Sequence, residues 1–430
     1  MSIAYGGIVA FLFRGLNLVV ALLTLTITAH VLGTDGRGAF FLGTSLVGIA
    51  SAFTGGITAA VAYQVGNQRR PPGAVLLTGT VLSGGLAVLA VVAGLAGRAM
   101  APGDWAHIAP AAGAASAAVI VISVVSGVFL GRGALVRYNV ALVLPPFLAF
   151  CAVVATFFVL HQKTPTAALA AFAVGQWASM PLLMLLGSAG LFDELRLDGR
   201  LLALLFRFAV LAGIASAVSY LNYRADTFVV EYFEGKSGVG IYSSAVLIAE
   251  SVWQFSGSLA LAAYPRVGSL DRTAAAKLSS RVMRHTLVIL TAVCTVLFLI
   301  APLLVRVLPA SFAEAAPALR LLLPGTLLYG LASAVAGFYT YQRGMPWVSA
   351  VVAGVGLVID LALDVVLIPA LGINGAALAS SIAYAIAILG ALVAFMWDTK
   401  ETPADVFRFG RADLQDYRTL LGRVRAAVNR

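Results

Sequence analysis

Long apolar runs alternate with short polar segments along almost the whole chain. A membrane crossing needs about 20 apolar residues in a helix, and twelve runs reach that length. The runs cover residues 8–30, 39–65, 74–96, 108–130, 140–160, 167–187, 204–230, 239–265, 286–308, 315–340, 346–369 and 375–397. The pattern predicts an all-α polytopic membrane protein with twelve transmembrane helices. The first run carries Arg14 and Asn17 and lacks a basic leader, so we expect it to be a helix that is retained.

A glycine pattern divides these runs into two equal sets. The segment 32–66 returns 202 positions later as segment 234–268, with five glycines in register and no gap. The first segment has Gly33, Gly36, Gly38, Gly55 and Gly66, and the second has Gly235, Gly238, Gly240, Gly257 and Gly268. Six runs separate the copies, so both halves cross the membrane in the same sense. This predicts two parallel six-helix lobes around a central cavity.

Composition agrees with a membrane protein: 61% of residues are hydrophobic, 11% are charged, and the mean hydropathy is +0.98. The net charge of +10 comes from Lys and Arg that are dispersed over loops and one tail, which argues against a nucleic-acid partner. With the N-terminus inside, 20 of the 28 Lys and Arg lie on the inner side and 5 lie outside. By the positive-inside rule, both termini are predicted to be cytoplasmic, in an inner (cytoplasmic) cell membrane.

The runs and the charges together predict four regions. Residues 1–190 form the N-terminal lobe, 191–203 a cytoplasmic linker, 204–398 the C-terminal lobe, and 399–430 a basic cytoplasmic tail. In the tail, apolar residues recur at helical spacing opposite arginines, which predicts an amphipathic helix. The apolar residues are Leu414, Tyr417, Leu421, Val424 and Val428. That helix lies either on anionic inner-leaflet lipid or on the cytoplasmic loops.

Enzyme and metal signatures are weak. Cys151 and Cys294 lie in separate apolar runs, and the four histidines are scattered, so neither a disulfide framework nor a metal site is predicted. Gly235-Lys236-Ser237 lacks the first glycine of a phosphate loop, because position 230 is valine. The chain is therefore predicted not to be an enzyme, and no cofactor is indicated.

Three arginines inside the runs are candidates for binding substrate. Guanidinium keeps its charge and offers forked donors that match phosphate oxygens. A charge in hydrocarbon is costly, so such residues usually face a cavity or a partner. We expect Arg14, Arg224 and Arg320, with Asn17, to bind an anionic head group. The alternative for each arginine is snorkelling to the interface or pairing with a carboxylate.

Four carboxylates inside the runs are candidates for ion coupling. Glu250 lies near the middle of the eighth run, and Asp226 lies at the outer end of the seventh. Asp360 and Asp364 are four residues apart and share one helix face. A proton or sodium gradient is the expected energy source if transport is coupled. Structural pairing with Arg224 is the alternative role.

Four segments resemble the oligosaccharide flippases of the multidrug/oligosaccharidyl-lipid/polysaccharide exporter superfamily. They read LGTDGRGAF, YRADTFVVEYF with GVGIYSSA, YPRVG, and LIPALGINGAALASSIAY. The resemblance implies two lobes in a V that rock to open a central cavity to either side, with a polyprenyl-diphosphate-linked glycan as cargo. Arg14, Arg224, Asp226 and Glu250 match positions where that family places polar groups. The peptidoglycan-lipid branch typically has two more helices than the twelve predicted here.

The resemblance implies a flippase that moves polyprenyl-diphosphate-linked oligosaccharide to the outer leaflet for cell-surface polysaccharide synthesis. Its expected partners are that lipid-linked oligosaccharide, membrane lipid and other polysaccharide-assembly proteins. Three alternatives remain: a cation-coupled multidrug exporter of the same superfamily, a membrane glycosyltransferase or polymerase, and a non-transporting scaffold. The glycosyltransferase needs an acidic pair in a large outer loop, and Asp104 alone fits poorly. The charges inside the runs argue against a scaffold.

Overall fold

The computed structural model describes residues 3–100, 103, 105–187, 191–410 and 413, and only the backbone for residues 3–10. The described chain is helical throughout and contains no β-strand. Its α-helices, in chain order, are α1 (Ile3–Gly66), α2 (Pro72–Met100), α3 (Trp105–Gly131), α4 (Leu135–Phe158), α5 (Pro165–Leu185), α6 (Gly199–Leu221), α7 (Ala225–Glu250), α8 (Trp253–Ser269), α9 (Arg272–Val305), α10 (Ala315–Tyr329), α11 (Ala332–Gly337), α12 (Trp347–Leu371), α13 (Ile373–Thr399) and α14 (Pro403–Phe407). A short 3₁₀ turn, Ala310–Phe312, precedes α10, and a π turn, Phe338–Gln342, follows α11.

These helices give the twelve predicted crossings. Eleven continuous helical stretches in the described chain are long and apolar enough to span a membrane. The stretch Phe11–Gly66 contains 56 residues, enough for two crossings. The seventh crossing is α6 with the start of α7, and the eighth is the rest of α7 with α8. The tenth is α10, α11 and the π turn.

Two glycines bend the chain at equivalent points of the repeat. Gly33 has φ 69° and ψ −169° within α1, and Gly235 has φ 66° and ψ −171° within α7. A side chain at such a positive φ is strained, which explains glycine at both positions. The second pair of repeat glycines packs reciprocally. A Cβ added to Gly38 would lie 1.9 Å from the carbonyl oxygen of Lys236, and one added to Gly240 would lie 2.2 Å from that of Thr34. The internal repeat is therefore built into the backbone.

The bundle has two distinct ends. We call the end that holds Gly33 and Gly235 the glycine face. The opposite end, which holds Arg70, Asp198 and α14, is the basic face.

The two lobes are joined at the glycine face. One buried hydrophobic cluster runs from Phe40 and Leu169 of the first lobe to Tyr242 and Leu319 of the second. Polar contacts add to it: the indole Nε1 of Trp105 donates to Glu231 at 2.6 Å, and the Ser237 hydroxyl donates to the Thr34 hydroxyl at 2.8 Å. Contacts from both lobes therefore close this end of the bundle.

Separate cores lie toward the basic face. One surrounds Val61, Val124 and Phe129 in the first lobe, and the other surrounds Phe338 and Phe395 in the second. The helix α6 bridges the lobes, because its first half packs into the first core through Leu201, Leu205 and Ala209. The boundary predicted at residues 203 and 204 stays a prediction.

Between these ends the two lobes face each other along two interfaces, which we call the closed seam and the open seam. In the closed seam, residues 34–66 of α1 pack along α6, where a Cβ added to Gly56 would lie 2.4 Å from the Ala209 carbonyl oxygen. In the open seam, the part of α1 around Arg14 lies beside α8, and a Cβ added to Gly15 would meet no described atom within 4 Å. Neighbouring side chains on this part of α1 are exposed: Leu12 is 64% exposed, and Phe11 is 48% exposed.

The end of the chain returns to the basic face. Asp413 lies 3.0 Å from the guanidinium of Arg284 on α9, and α14 packs against the same helix. The amphipathic helix predicted from Leu414 to Val428 lies outside the described residues.

Candidate functional site

Arg14 lies in the open seam, on the half of α1 that leads to the basic face. Its side chain is exposed, and an Nη atom lies 3.2 Å from the position of a Cβ added to Gly257 on α8. Its charge is close enough to Tyr138 on α4 and Tyr264 on α8 to interact electrostatically with both. Among the described residues, Arg14 forms no ion pair. Its guanidinium is therefore a cation between the lobes that is available to an anion.

Arg224 is engaged by a carboxylate. Its two Nη atoms donate to the two carboxylate oxygens of Glu250, each at 2.8 Å. The side chains are 16% and 15% exposed, so this forked pair is largely withdrawn from solvent. The guanidinium also lies 5.8 Å from the ring of Phe41 in the first lobe and 5.9 Å from the ring of Tyr220. The pairing that the sequence left as an alternative for Glu250 is thus present.

Arg320 and Asn17 are the other two residues expected to bind substrate. Arg320 donates from Nε to the carbonyl oxygen of Phe298 on α9 at 3.0 Å and lies over the ring of that residue. The structure therefore places it between α9 and α10 and does not join it to Arg14. Asn17 lies on α1 about one turn beyond Arg14 and is partly exposed.

Three of the acidic candidates are buried together in the second lobe. The hydroxyl of Tyr242 donates to Asp226 at 2.5 Å and lies 3.1 Å from the hydroxyl of Ser380. Asp226, Asp360 and Asp364 are 3%, 1% and 0% exposed. This cluster connects α7, α12 and α13.

The two aspartates of α12 have unsatisfied oxygens. One carboxylate oxygen of Asp360 and both of Asp364 are buried without a hydrogen-bond partner among the described residues. An isolated carboxylate is very costly in such surroundings, which favours a neutral carboxyl or a bound cation. No group of three or more His, Cys, Asp or Glu in the described chain is arranged to hold a metal ion. The role of these carboxylates in coupling to a proton or a sodium ion stays a prediction.

An aromatic cluster beside these charges was not predicted from the sequence. The rings of Tyr223, Trp253, Tyr329 and Tyr384 lie with centroids 4.8 to 6.4 Å apart. Asn222 donates to the hydroxyl of Tyr329 at 3.3 Å. The available signal was the presence of aromatic and amide groups within four of the predicted crossings. That they converge depends on tertiary packing.

A second buried cation was also missed. Arg37, which was counted with the outer loops, is 4% exposed within α1, and its Nε has no partner among the described residues. Its guanidinium lies 5.2 Å from the ring of Phe41, the same ring that Arg224 approaches. The glycine at position 33 makes a sharp bend in place of an exposed loop, and this brings Arg37 inside.

No protein-family model matches the chain, and no curated protein matches it. Solved structures do match. The lipid II flippase MurJ in an inward closed conformation has a TM-score of 0.76 at 12% identity, over 94% of this chain and 89% of that chain. An inward-facing multidrug resistance MATE family transporter has a TM-score of 0.73 at 16% identity, over 89% and 94%. An outward-facing structure of a MATE family transporter has a TM-score of 0.67 at 16% identity, over 92% and 94%.

These neighbours are described as transporters or flippases, and the MATE structures are assigned to the MOP superfamily. At this level of identity the likeness concerns the fold. The chain therefore has the fold of the MOP superfamily transporters, a multi-pass membrane protein with twelve helices in two lobes, as the resemblance of its sequence segments predicted.

Proposed function

We propose that this protein is a flippase that moves polyprenyl-diphosphate-linked oligosaccharide from the cytoplasmic to the outer leaflet by alternating access. The observation that carries the proposal is the position of Arg14: an arginine without an ion-pair partner among the described residues, in a seam that is open between the lobes. We place the basic face in the cytoplasm because most Lys and Arg lie on that side. The oligosaccharide that reaches the outer leaflet is then used for cell-surface polysaccharide synthesis.

The open seam suits a cargo that is part charged and part apolar. A diphosphate offers oxygens that match the forked donors of Arg14. The same stretch of α1 exposes Phe11, Leu12, Leu16 and Val19, which provide an apolar wall. A polyprenyl chain can stay in lipid beside this wall while the head group enters between the lobes. The protein then lowers the barrier to transfer and makes no covalent bond.

The closed glycine face corresponds to one of the two states that alternating access requires. The shared core and the Trp105–Glu231 hydrogen bond hold the outer side shut. The higher TM-score to the inward-facing than to the outward-facing MATE structure is in line with this state. To release cargo outward, the lobes must part at Gly38 and Gly240 and approach each other along the open seam.

For energy coupling, we propose that Asp226, Asp360 and Asp364 take up and release a proton or sodium ion. Their helices include both sides of the Gly235 bend, so a change of charge there alters the packing of the second lobe next to the seams. Glu250 contributes through its pair with Arg224. This pair holds the last residue of α7 against the turn that joins α6 to α7.

A cation-coupled multidrug exporter is a second candidate, favoured by the buried carboxylates and by the likeness to MATE structures. It predicts a different cargo for the same seam. An organic cation would be repelled by Arg14, whereas a diphosphate would be attracted.

The test compares two arginine variants in proteoliposomes. Arg14→Ala removes the available cation, and Arg320→Ala removes one that is held by the Phe298 carbonyl. Losing a charge-assisted hydrogen bond costs about 1.5–3 kcal/mol, so we expect Arg14→Ala to slow the flipping of fluorescent polyprenyl-diphosphate oligosaccharide about tenfold or more. Arg320→Ala should leave the rate within about twofold.

Two results would redirect the proposal. Equal flipping by wild type and Arg14→Ala, at matched protein per vesicle, removes Arg14 from the cargo site. Export of a lipophilic cation by the wild type, without flipping of any diphosphate-linked glycan, establishes the multidrug exporter instead.

A further inference from the structure

The second lobe contains a partly open cavity of about 270 Å³. The residues that line it belong to α6 and the turn after it, α8, the tenth crossing, α12 and α13. Aromatic rings form much of its wall: Tyr223, Trp253, Tyr264 and Tyr329. An apolar cavity of roughly 150 Å³ is large enough for benzene, so this one has room for a six-membered ring with substituents.

The rings of this wall are fixed before any ligand arrives. The indole Nε1 of Trp253 donates to the Thr326 carbonyl oxygen at 2.8 Å, and the hydroxyl of Tyr264 donates to the Ser333 carbonyl oxygen at 3.1 Å. The centroids of Trp253 and Tyr329 are 5.6 Å apart. Preorganised walls lower the entropic cost of binding.

Hydroxyl groups are placed around the same cavity. Ser219 and Ser256 donate to carbonyl oxygens of their own helices, at 3.0 and 3.1 Å, which leaves their lone pairs free to accept. Ser333 and Ser349 also line the cavity, and neither hydroxyl donates to a group in the described part of the chain. The cavity thus offers both donors and acceptors to a ligand that carries hydroxyls.

None of the described residues that line the cavity is charged. The nearby carboxylate of Glu250 is neutralised by the forked bond to Arg224. Among the described lining residues a phosphate finds no cation, and an organic cation finds aromatic faces but no unpaired carboxylate. Aromatic faces with scattered hydroxyls suit a neutral sugar ring, whose C–H face packs on aromatic carbon while its hydroxyls form hydrogen bonds.

We propose that this cavity binds one neutral pyranose ring of the glycan. The inference rests on the proposed flippase function and adds the place where the sugar is recognised. Arg14 lies beside the cavity, because it approaches Gly257, the neighbour of Ser256, and interacts with Tyr264. A diphosphate on Arg14 therefore leaves a sugar near the reducing end within reach of the cavity.

The experiment measures binding of sugars that lack any phosphate. Full-length protein in lipid nanodiscs is mixed with methyl glycosides of glucose, galactose, mannose, rhamnose and N-acetylglucosamine, and contact is followed by saturation-transfer NMR. Tetraphenylphosphonium serves as the cationic probe. We expect saturable binding of at least one glycoside, unaffected by tetraphenylphosphonium.

Matched variants locate the binding. Ser349→Leu fills the cavity, whereas Ser258→Leu makes the same change on α8 outside it. We expect Ser349→Leu to weaken glycoside binding at least tenfold and Ser258→Leu to leave it unchanged. If Ser349→Leu does not fold, as judged by its melting temperature, Ser333→Leu fills the same cavity from α11.

Several outcomes overturn the inference: no glycoside binds, binding survives the filled cavity, or tetraphenylphosphonium displaces the sugar. The arginine variant separates this inference from the proposed function. Arg14→Ala should lose flipping while it keeps glycoside binding. Glycoside binding without any flipping by wild type would retain the cavity site and refute the flippase, and flipping without glycoside binding would do the reverse.

Discussion

The closed and open seams occupy equivalent places in the repeat, yet only one of them is packed tightly. In the closed seam, Gly55 faces Ser216; 202 positions away, Gly257 faces Arg14 in the open seam. The backbones approach closely in the closed seam because Gly56 and Gly213 carry no side chains. Their equivalents in the open seam, at the same offset of 202, are Ser258 and Phe11. The two copies of the repeat therefore form both the tightly packed closed seam and the open seam.

The same comparison explains where charge has accumulated. Gly48 packs under Tyr220 in the closed seam, where a Cβ would lie 1.7 Å from the tyrosine hydroxyl. Its equivalent is Glu250, which pairs with Arg224. Small residues let helices pack closely in membranes, whereas ionisable residues require a partner or a cavity. The difference between the seams thus follows from a few substitutions between the repeats.

Breaking the Arg224–Glu250 pair should have the largest effect. Glu250→Ala leaves the guanidinium largely buried and without its carboxylate, which typically costs about 3–5 kcal/mol. The double variant Arg224→Leu with Glu250→Leu should recover most of that loss, because no uncompensated charge remains. Thermal unfolding of the purified protein measures both. A single variant as stable as the double variant would show that the pair lies in water.

The glycines of the closed seam come next. Gly56→Ala adds a Cβ 2.4 Å from the Ala209 carbonyl oxygen, so the helices must shift, at a cost of about 1–3 kcal/mol. The control is Gly15→Ala on the open side, where a Cβ meets no atom of the described residues within 4 Å. There we expect no loss, because alanine favours the helix. Equal destabilisation by the two changes would contradict the assignment of closed and open seams.

The smallest effect concerns the link between the lobes at the basic face. Asp198 caps α6, and its hydrogen bonds from the Leu201 and Arg200 backbone, with the charge of Arg70, lower the pKa of its carboxyl from the ordinary value of 3.8. A lowered pKa stabilises the folded state above the unfolded value, and the contribution disappears as pH falls through the folded value. Wild type should therefore lose stability more steeply below about pH 4 than Asp198→Asn. Parallel melting profiles across acid pH for the two proteins would rule this out.

The sequence was sufficient for the crossings and for the repeat. Apolar run length predicted twelve spans, and the glycines at an offset of 202 correspond to matching bends at Gly33 and Gly235. Helix ends were less accurate. The ninth run was predicted from residue 286, but α9 begins at Arg272, because polar residues continue the helix beyond the apolar stretch after an Asp271 cap. Hydrophobicity marks the membrane and does not mark where hydrogen bonding ends.

The candidate site was only partly accessible from the sequence. The cost of charge in hydrocarbon singled out Asp226, Asp360 and Asp364, and the spacing of four placed two of them on one face. The sequence could not show that Tyr242 and Ser380 would join them, because Tyr242 lies beyond the Gly235 bend of α7 and Ser380 lies on α13. The role of Arg320 depended likewise on a carbonyl of α9.

The most direct test of alternating access locks the glycine face. Thr34 and Ser237 come from opposite lobes with their hydroxyls 2.8 Å apart, a separation that suits a disulfide between cysteines. The pair Thr34→Cys and Ser237→Cys is made with Cys151 and Cys294 replaced by alanine, and each single cysteine is the control. We predict that oxidation lowers the rate of flipping of the lipid-linked oligosaccharide at least tenfold and that a reductant restores the rate. Flipping at the uncross-linked rate by fully cross-linked protein would contradict the account.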